Sequence, residues 1–259
     1  MAIDFNKMII KSCVEAYLFE KATDKIKAMY DEITTFKVTG DSTETEVEGR
    51  NGTTIAILDS KKKLGIEFEN AYYTMDGLAT QAGGVIKTAT STEKAVIRRF
   101  ETVALSADKT LTLSDTPVTK TIEGASSQVL VQVCLLNKDS SPKETISGAT
   151  VADKTVTLTE GNEGDLYRVV YDTERETAVS FTDVADEFAG TYRCVANLVC
   201  EDPCNHTEYV IQVDVPSYKV KTAYEIATGD SPSTMKVSGT ALKDICGKDK
   251  KFCTYTLVE

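Results

Sequence analysis

The sequence predicts a mainly β chain with one or two short helices. Three observations carry this. Apolar and polar residues alternate at period two through most of the chain, turn residues interrupt the alternation at short intervals, and helical periodicity is confined to two segments. The clear alternating runs are 53–58, 64–68, 95–105, 128–136, 166–171, 191–199, 208–215 and 234–242. Between them stand Asn51-Gly52, Asp139-Ser140-Ser141-Pro142, Gly161-Asn162-Glu163-Gly164 and Asp202-Pro203, residues that favour or pre-set turn geometry. A helix is expected over 23–33, where Ile26, Met29, Tyr30 and Ile33 recur at helical spacing behind Thr23 or Asp24 as N-cap. A second is expected over 74–82, a short apolar stretch stopped by Gly83-Gly84.

The 259 residues suffice for one large β domain or two small ones. With 40 acidic against 29 basic side chains, the net charge is −11, which argues against a surface built to grip phosphates. No run of roughly 18 apolar residues occurs, so no membrane-spanning helix is expected. Met1 to Lys11 lacks a basic stretch followed by an apolar one and a small-residue cleavage site, so no secretory signal is expected either. The single histidine, His206, confines any Ser-His or Cys-His chemistry to one polar turn. No glycine-rich phosphate loop is present, and Asp172-Thr-Glu-Arg-Glu176 lacks the glycine and spacing of a calcium loop. Neither catalysis nor a cofactor is expected.

The seven cysteines are Cys13, Cys134, Cys194, Cys200, Cys204, Cys246 and Cys253, an odd number at low density, which reads as reduced thiols. Two local alternatives stand beside that. Cys194, Cys200, Cys204 and His206 are candidate zinc ligands, although the paired CxxC knuckle of a structural zinc site is absent. Cys200 with Cys204, and Cys246 with Cys253, are candidate disulfides if each pair closes a hairpin. The string from Asp186 through Gly190-Thr-Tyr192-Arg-Cys194 is similar to the tyrosine corner of immunoglobulin domains, but the chain has no Trp and the nearest upstream cysteine is Cys134.

Two further patterns bear on organisation. Glu44, Glu46 and Glu48 alternate on a polar arm over 36–52, which places all three on one strand face, open to solvent or to a solvated channel. The heptad Ala107-Asp-Lys-Thr-Leu-Thr-Leu113 recurs as Ala152-Asp-Lys-Thr-Val-Thr-Leu158, six of seven positions matching. The flanks diverge, so this reads as two strands of one small unit sharing a turn-plus-strand solution. It sets 106–175 apart as an inserted β subdomain within a discontinuous domain of 1–105 and 176–259.

The C-terminal third runs Phe188-Ala-Gly-Thr-Tyr192, then Tyr209-Val-Ile-Gln-Val-Asp-Val-Pro216-Ser-Tyr-Lys-Val, then Ser233-Thr-Met-Lys-Val-Ser-Gly-Thr-Ala-Leu-Lys-Asp244. With Thr110-Leu-Thr-Leu-Ser-Asp-Thr-Pro117, Gly164-Asp-Leu-Tyr-Arg-Val-Val-Tyr171 and the helix-like Asn70-Ala-Tyr-Tyr-Thr-Met-Asp-Gly, this resembles the tail tube (major tail) proteins of long-tailed bacteriophages. The resemblance covers about 55–259. It implies a tail-tube-like β-sandwich or barrel with short flanking helices and the inserted subdomain. It further implies a structural virion protein, made in the host cytoplasm, that forms stacked hexameric rings through which DNA passes unbound. Sheath, baseplate and tail-terminator proteins are the partners it implies, with no membrane. Glu44, Glu46 and Glu48 are then candidates for an acidic lumen that repels phosphate, and the 36–52 arm for a contact with the neighbouring ring. The alternatives are another virion component (capsid decoration or tail completion) and an immunoglobulin-like binding module.

Overall fold

Alternation along the chain resolves into nineteen strands and one helix in a computed structural model that describes residues 7–120, 128–229, 232–243 and 251–258. Two units result, one of Met1–Ile86 with Phe181–Glu259 and one of Lys87–Ser180.

The outer unit begins with β1 (Ile9–Glu20), β2 (Ile26–Tyr30), β3 (Ile33–Glu48), β4 (Thr54–Asn70) and α1 (Met75–Ala82), and β5 (Ile86–Thr88) starts at its boundary with the insert. The inserted unit contributes β6 (Ala95–Ala104), β7 (Thr110–Thr112), β8 (Thr119–Lys120), β9 (Gln128–Val129), β10 (Val131–Leu136), β11 (Pro142–Ile146), β12 (Thr150–Ala152), β13 (Thr155–Thr157) and β14 (Leu166–Arg175). The chain returns through β15 (Val179–Phe181), paired with β5, to β16 (Thr191–Glu201), β17 (Glu208–Val220), β18 (Met235–Ala241) and β19 (Thr254–Val258).

One antiparallel sheet organises the outer unit, in the order β2-β1-β16-β17-β18-β4-β3, with β19 also paired to β17. Strand β17 has two successive neighbours on one side. Val210–Asp214 pair with β19 and Tyr218–Val220 with β18. The inward residues follow the pleat, with Cys194, Ala196, Leu198 and Cys200 from β16 and Val213 and Val215 from β17. The sheet curls over this core, because Tyr30 near one end meets Phe68 near the other edge to edge, centroids 4.9 Å apart. Phe36 stacks on the same ring at 6.2 Å, and the Tyr218 hydroxyl donates to the Ile66 carbonyl at 3.0 Å.

Helix α1 forms where the sequence predicts it. The Thr74 hydroxyl accepts from Gly77 N at 3.1 Å, and Gly83, at φ 84°, donates its N–H to the Ala79 carbonyl. Residues Gly77–Ala82 are buried, Leu78 enters the core, and Gln81 Nε2 donates to the Lys236 carbonyl of β18. The helix expected over 23–33 is not formed. Residues 26–30 are strand β2, with Ala28 and Tyr30 inward and Met29 outward. Pairing with β1, through Ala16↔Tyr30 and Leu18↔Ala28, overrides a helical spacing of four side chains. Thr23 caps the β1–β2 turn instead, its hydroxyl bonding Glu20 and accepting from Lys25 N, with Asp24 at φ 53°.

The inserted unit pairs β11-β10-β14-β6 in one sheet and β12-β13-β7 in another, around Leu111, Val133, Val156, Tyr167, Val169 and Tyr171. Its boundary lies earlier than the sequence reading placed it. Strand β6 pairs with β14 over ten residues, from Ala104↔Leu166 to Ala95↔Arg175, and so belongs to the insert. The repeated heptads pair with each other. Thr110–Thr112 lie antiparallel to Thr155–Thr157 about a local two-fold axis, with Leu111 opposite Val156 in the core. The symmetry extends to the polar contacts. Leu113 N donates to Lys154 O and Leu158 N to Lys109 O, while Lys109 Nζ caps Thr159 O and Lys154 Nζ caps Ser114 O. The shared turn-plus-strand solution is thus a self-complementary pair.

One end of the insert holds a polar network. Glu101 accepts from Ser114 N and Oγ and from the Tyr171 hydroxyl at 2.8 Å, and Asp115 receives both Arg99 and Arg175. Partial burial works against the Glu101 charge, but the bonds from Ser114 and Tyr171 and the charge of Arg99 outweigh it and hold its carboxyl below the ordinary 4.5. The folded pKa is depressed, so this stabilisation is full above the unfolded value and is lost as pH falls through the folded one. The melting temperature of the inserted unit should therefore drop below about pH 4.5, and Glu101→Gln should flatten that drop. An acid limb unchanged in Glu101→Gln would place the loss elsewhere.

Candidate assembly surface

Strands β3 and β4 outrun the sheet. Among the described residues β18 covers β4 only over Leu64–Asn70, and the remainder of the β3–β4 pair continues as a two-stranded ribbon with no further strand described beside it. Thr39–Glu48 and Asn51–Lys63 are exposed on both faces. The ribbon closes at Asn51-Gly52, the turn expected from sequence, with Gly52 at φ 70°. The 36–52 arm is thus one side of a hairpin. A two-stranded ribbon without a packed face is marginal in water by itself.

The register assigns its two faces. Glu44 lies opposite Asp59, Glu46 opposite Ile57 and Glu48 opposite Thr54, whose hydroxyl also bonds Glu46 at 3.2 Å. Cross-strand partners share a face, so Glu44 and Glu46 lie together with Asp59 and Ile57, and an irregularity between Val47 and Glu48 interrupts the register before Glu48. The other face carries Thr43, Thr45, Val47, Ala56, Leu58 and Ser60. Val47, Ile55, Ile57 and Leu58 are exposed, Ile55 by 72%. An irregularity between Asp41 and Thr43, with Lys61 at φ 52°, forms an elbow where Lys61, Lys62 and Lys63 stand in solvent.

A second open surface lies on β1. Strand β2 covers only Ala16–Phe19, leaving Ile9, Ile10 and Val14 exposed beside an edge with no other partner among the described residues. Strand β1 carries no clear period-two signal, because irregularities at Ile10/Ser12 and Cys13/Glu15 break its alternation. The elbow lysines were likewise missed, although a triple-lysine run inside an alternating segment is itself a signal.

The cysteine candidates fall elsewhere. Cys194 and Cys200 are buried inward residues of β16, and Cys204 is exposed in the β16–β17 turn. Cys200 and Cys204 are both free thiols, so the disulfide suggested by spacing is not formed. The pleat turns Cys200 into the core, with its Sγ toward Tyr209 O, while Cys204 sits at the turn. The other suggested pair includes Cys246, which lies outside the described residues. Among the described residues no group of three His, Cys, Asp or Glu side chains is placed to hold a metal. His206 sits exposed in the turn at φ 59°, its Nδ1 2.5 Å from Glu201 Oε1, and Lys11 also reaches Glu201. Burial pushes the Cys13 and Cys194 thiols up to about 12, which leaves them poor nucleophiles. The immunoglobulin-like string fails on topology, since Cys134 and Cys194 are free thiols in different units.

A search of curated proteins gave no match. The family model described as the YomU/Tube protein family matches residues 8–255, a span that takes in the curled sheet, the free ribbon and the insert. The chain accordingly belongs to the YomU/Tube family of phage tail tube proteins, structural components of the virion tail.

Proposed function

We propose that this subunit assembles into hexameric rings that stack into a hollow tube, the conduit for DNA ejection into the host. The observation that carries this reading is the β3–β4 ribbon, polar and apolar side chains alike exposed on both faces. Ile55, Ile57 and Leu58 left in water cost on the order of 1.5–3 kcal/mol each relative to full burial, and a neighbouring copy removes that cost. The carboxylates Glu44, Glu46 and Glu48, within a chain of net charge −11, line the conduit. Like charge there repels phosphate, so DNA slides through without specific binding. Tail sheath, baseplate and tail-terminator proteins are the proposed partners at the outer wall and the two ends.

Negative-stain microscopy of concentrated protein tests this. Hollow rods of uniform width are expected, and a protein that stays monomeric at high concentration overturns the reading. Assembled rods should also fail to retain duplex DNA at low salt; retention would contradict an acidic conduit.

A further inference from the structure

The inserted unit opens at one end of its sheet. Glu144 of β11, Leu135 of β10 and Tyr167 of β14 are cross-strand partners, so they share a face, the one that packs the core of the insert. Tyr167 is buried and Leu135 half-buried, but Glu144 is exposed, so the row runs from the core out into water. There it lines a cleft of about 590 Å³, together with the 159–162 segment. That volume falls within the range of small-molecule sites, about 300–1,000 Å³.

The polar groups of this cleft are largely unused by the protein. Lys138, Lys143, Glu144 and Glu160 make no ion pair and no side-chain hydrogen bond among the described residues. Asp165 accepts from Asn162 N and Nδ2 with Oδ2, at 3.0 and 3.3 Å, which leaves Oδ1. The most buried polar group is Tyr167, 1% exposed, whose hydroxyl has no hydrogen-bond partner among the described residues. Buried hydroxyls are normally paired, so this one is placed for a partner from outside the chain. Its neighbour at the wall is Gly161, at φ 128°, where a Cβ would stand 2.5 Å from the hydroxyl oxygen. A side chain there would cover the hydroxyl, and the glycine leaves it open. Burial first, then the charges of Asp165 and Glu144, raise the hydroxyl above its ordinary 10, so it stays protonated and able to donate.

We propose that this cleft binds a neutral saccharide of one or two rings. A sugar carries hydroxyls that donate and accept around its rim and C–H groups on its ring faces. The cleft offers the complement of each. The carboxylates of Glu144, Glu160 and Asp165 accept, Lys138, Lys143 and the Tyr167 hydroxyl donate, and Leu135 and Ile146 supply apolar contact. Charges of both signs face the cleft, which disfavours a strongly charged ligand of either sign. The inference goes beyond the tube reading, because the site lies wholly within the insert, which has a core of its own.

An array of bacterial surface glycans, probed with the whole chain, tests this, followed by titration calorimetry with the free oligosaccharide of each glycan retained. At least one neutral glycan should be retained, with an affinity that salt changes little. In Tyr167→Phe and in Glu144→Ala the affinity should fall at least roughly fivefold, by the loss of one hydrogen bond to the sugar in each. Tyr167→Phe should melt as the wild type does, because its hydroxyl has no partner in the chain to lose. A purely structural hydroxyl would do the reverse, lowering the melting temperature and leaving binding unchanged. Retention of no glycan, retention of anionic glycans only, or unchanged affinity in both variants overturns the proposal. None of these outcomes touches the tube reading, which is decided by whether rods form.

Discussion

In a Phe68→Ala variant, the outer unit loses about 3–5 kcal/mol of stability while the inserted unit melts as before. Phe68 is 1% exposed and is the ring on which the curled sheet closes. Tyr30 from β2 meets it edge to edge, and Phe36 from β3 stacks on it. Truncation removes the transfer free energy of the ring and leaves a cavity between strands that a rigid sheet fills poorly. Against a typical domain stability of about 5–15 kcal/mol this is a large fraction. The confinement to one unit follows from the separate cores. Leu111, Val133, Val156 and Tyr167 make a cluster of their own, with no member in common with the one around Phe68. Differential scanning calorimetry should show two transitions, with Phe68→Ala lowering one and Tyr167→Ala the other. Both variants shifting a single shared transition would show that the units unfold as one.

The second large effect is expected at the end of α1. Gly83 and Gly52 share a left-handed backbone, at φ 84° and 70°. Their surroundings differ. A Cβ at Gly52 meets nothing within 4 Å, whereas at Gly83 it comes within 2.5 Å of the Phe188 carbonyl, a backbone group that cannot swing away. Gly52→Ala should therefore cost only the left-handed penalty of about 1–2 kcal/mol, felt locally in the ribbon. Gly83→Ala should add an overpacking cost of about 1–3 kcal/mol and lower the melting temperature of the outer unit. It presses the C-cap of a buried helix against the segment leading into β16. Equal melting temperatures for the two variants would show that Phe188 yields.

Particular residues show what could be read along the chain. Thr74 and Gly83 bracket α1 because both ends of that helix are local: a hydroxyl three residues from its amide partner, and a glycine in the one conformation that closes the last turn. The shared face of Glu44 and Glu46 was legible because the pleat has period two and the pairing is regular from Thr43 to Val47, whereas the irregularity before Glu48 has no local signature. The ambiguous spacing at Ile26, Met29, Tyr30 and Ile33 was not, since it is decided by Ala16 and Leu18 across a turn. The missed β1 and the late boundary at 106 have a common cause. An irregular strand and a strand's choice of partner are both set by hydrogen bonds to residues far along the chain, here Glu201 for Ile9 and Leu166 for Ala104.

The candidate surface divides the same way. By itself the sequence determined the mainly β character, the turns, the short helix α1, the net acidity and the self-similar heptads, because each is a property of neighbours within a few residues. Only the tertiary structure decided that β18 stops short at Leu64, that β4 therefore leaves the sheet, and that the lysines of the elbow and the glutamates beyond it stand in solvent together. Pairing partners set which backbone is covered, and no local pattern encodes where a partner ends.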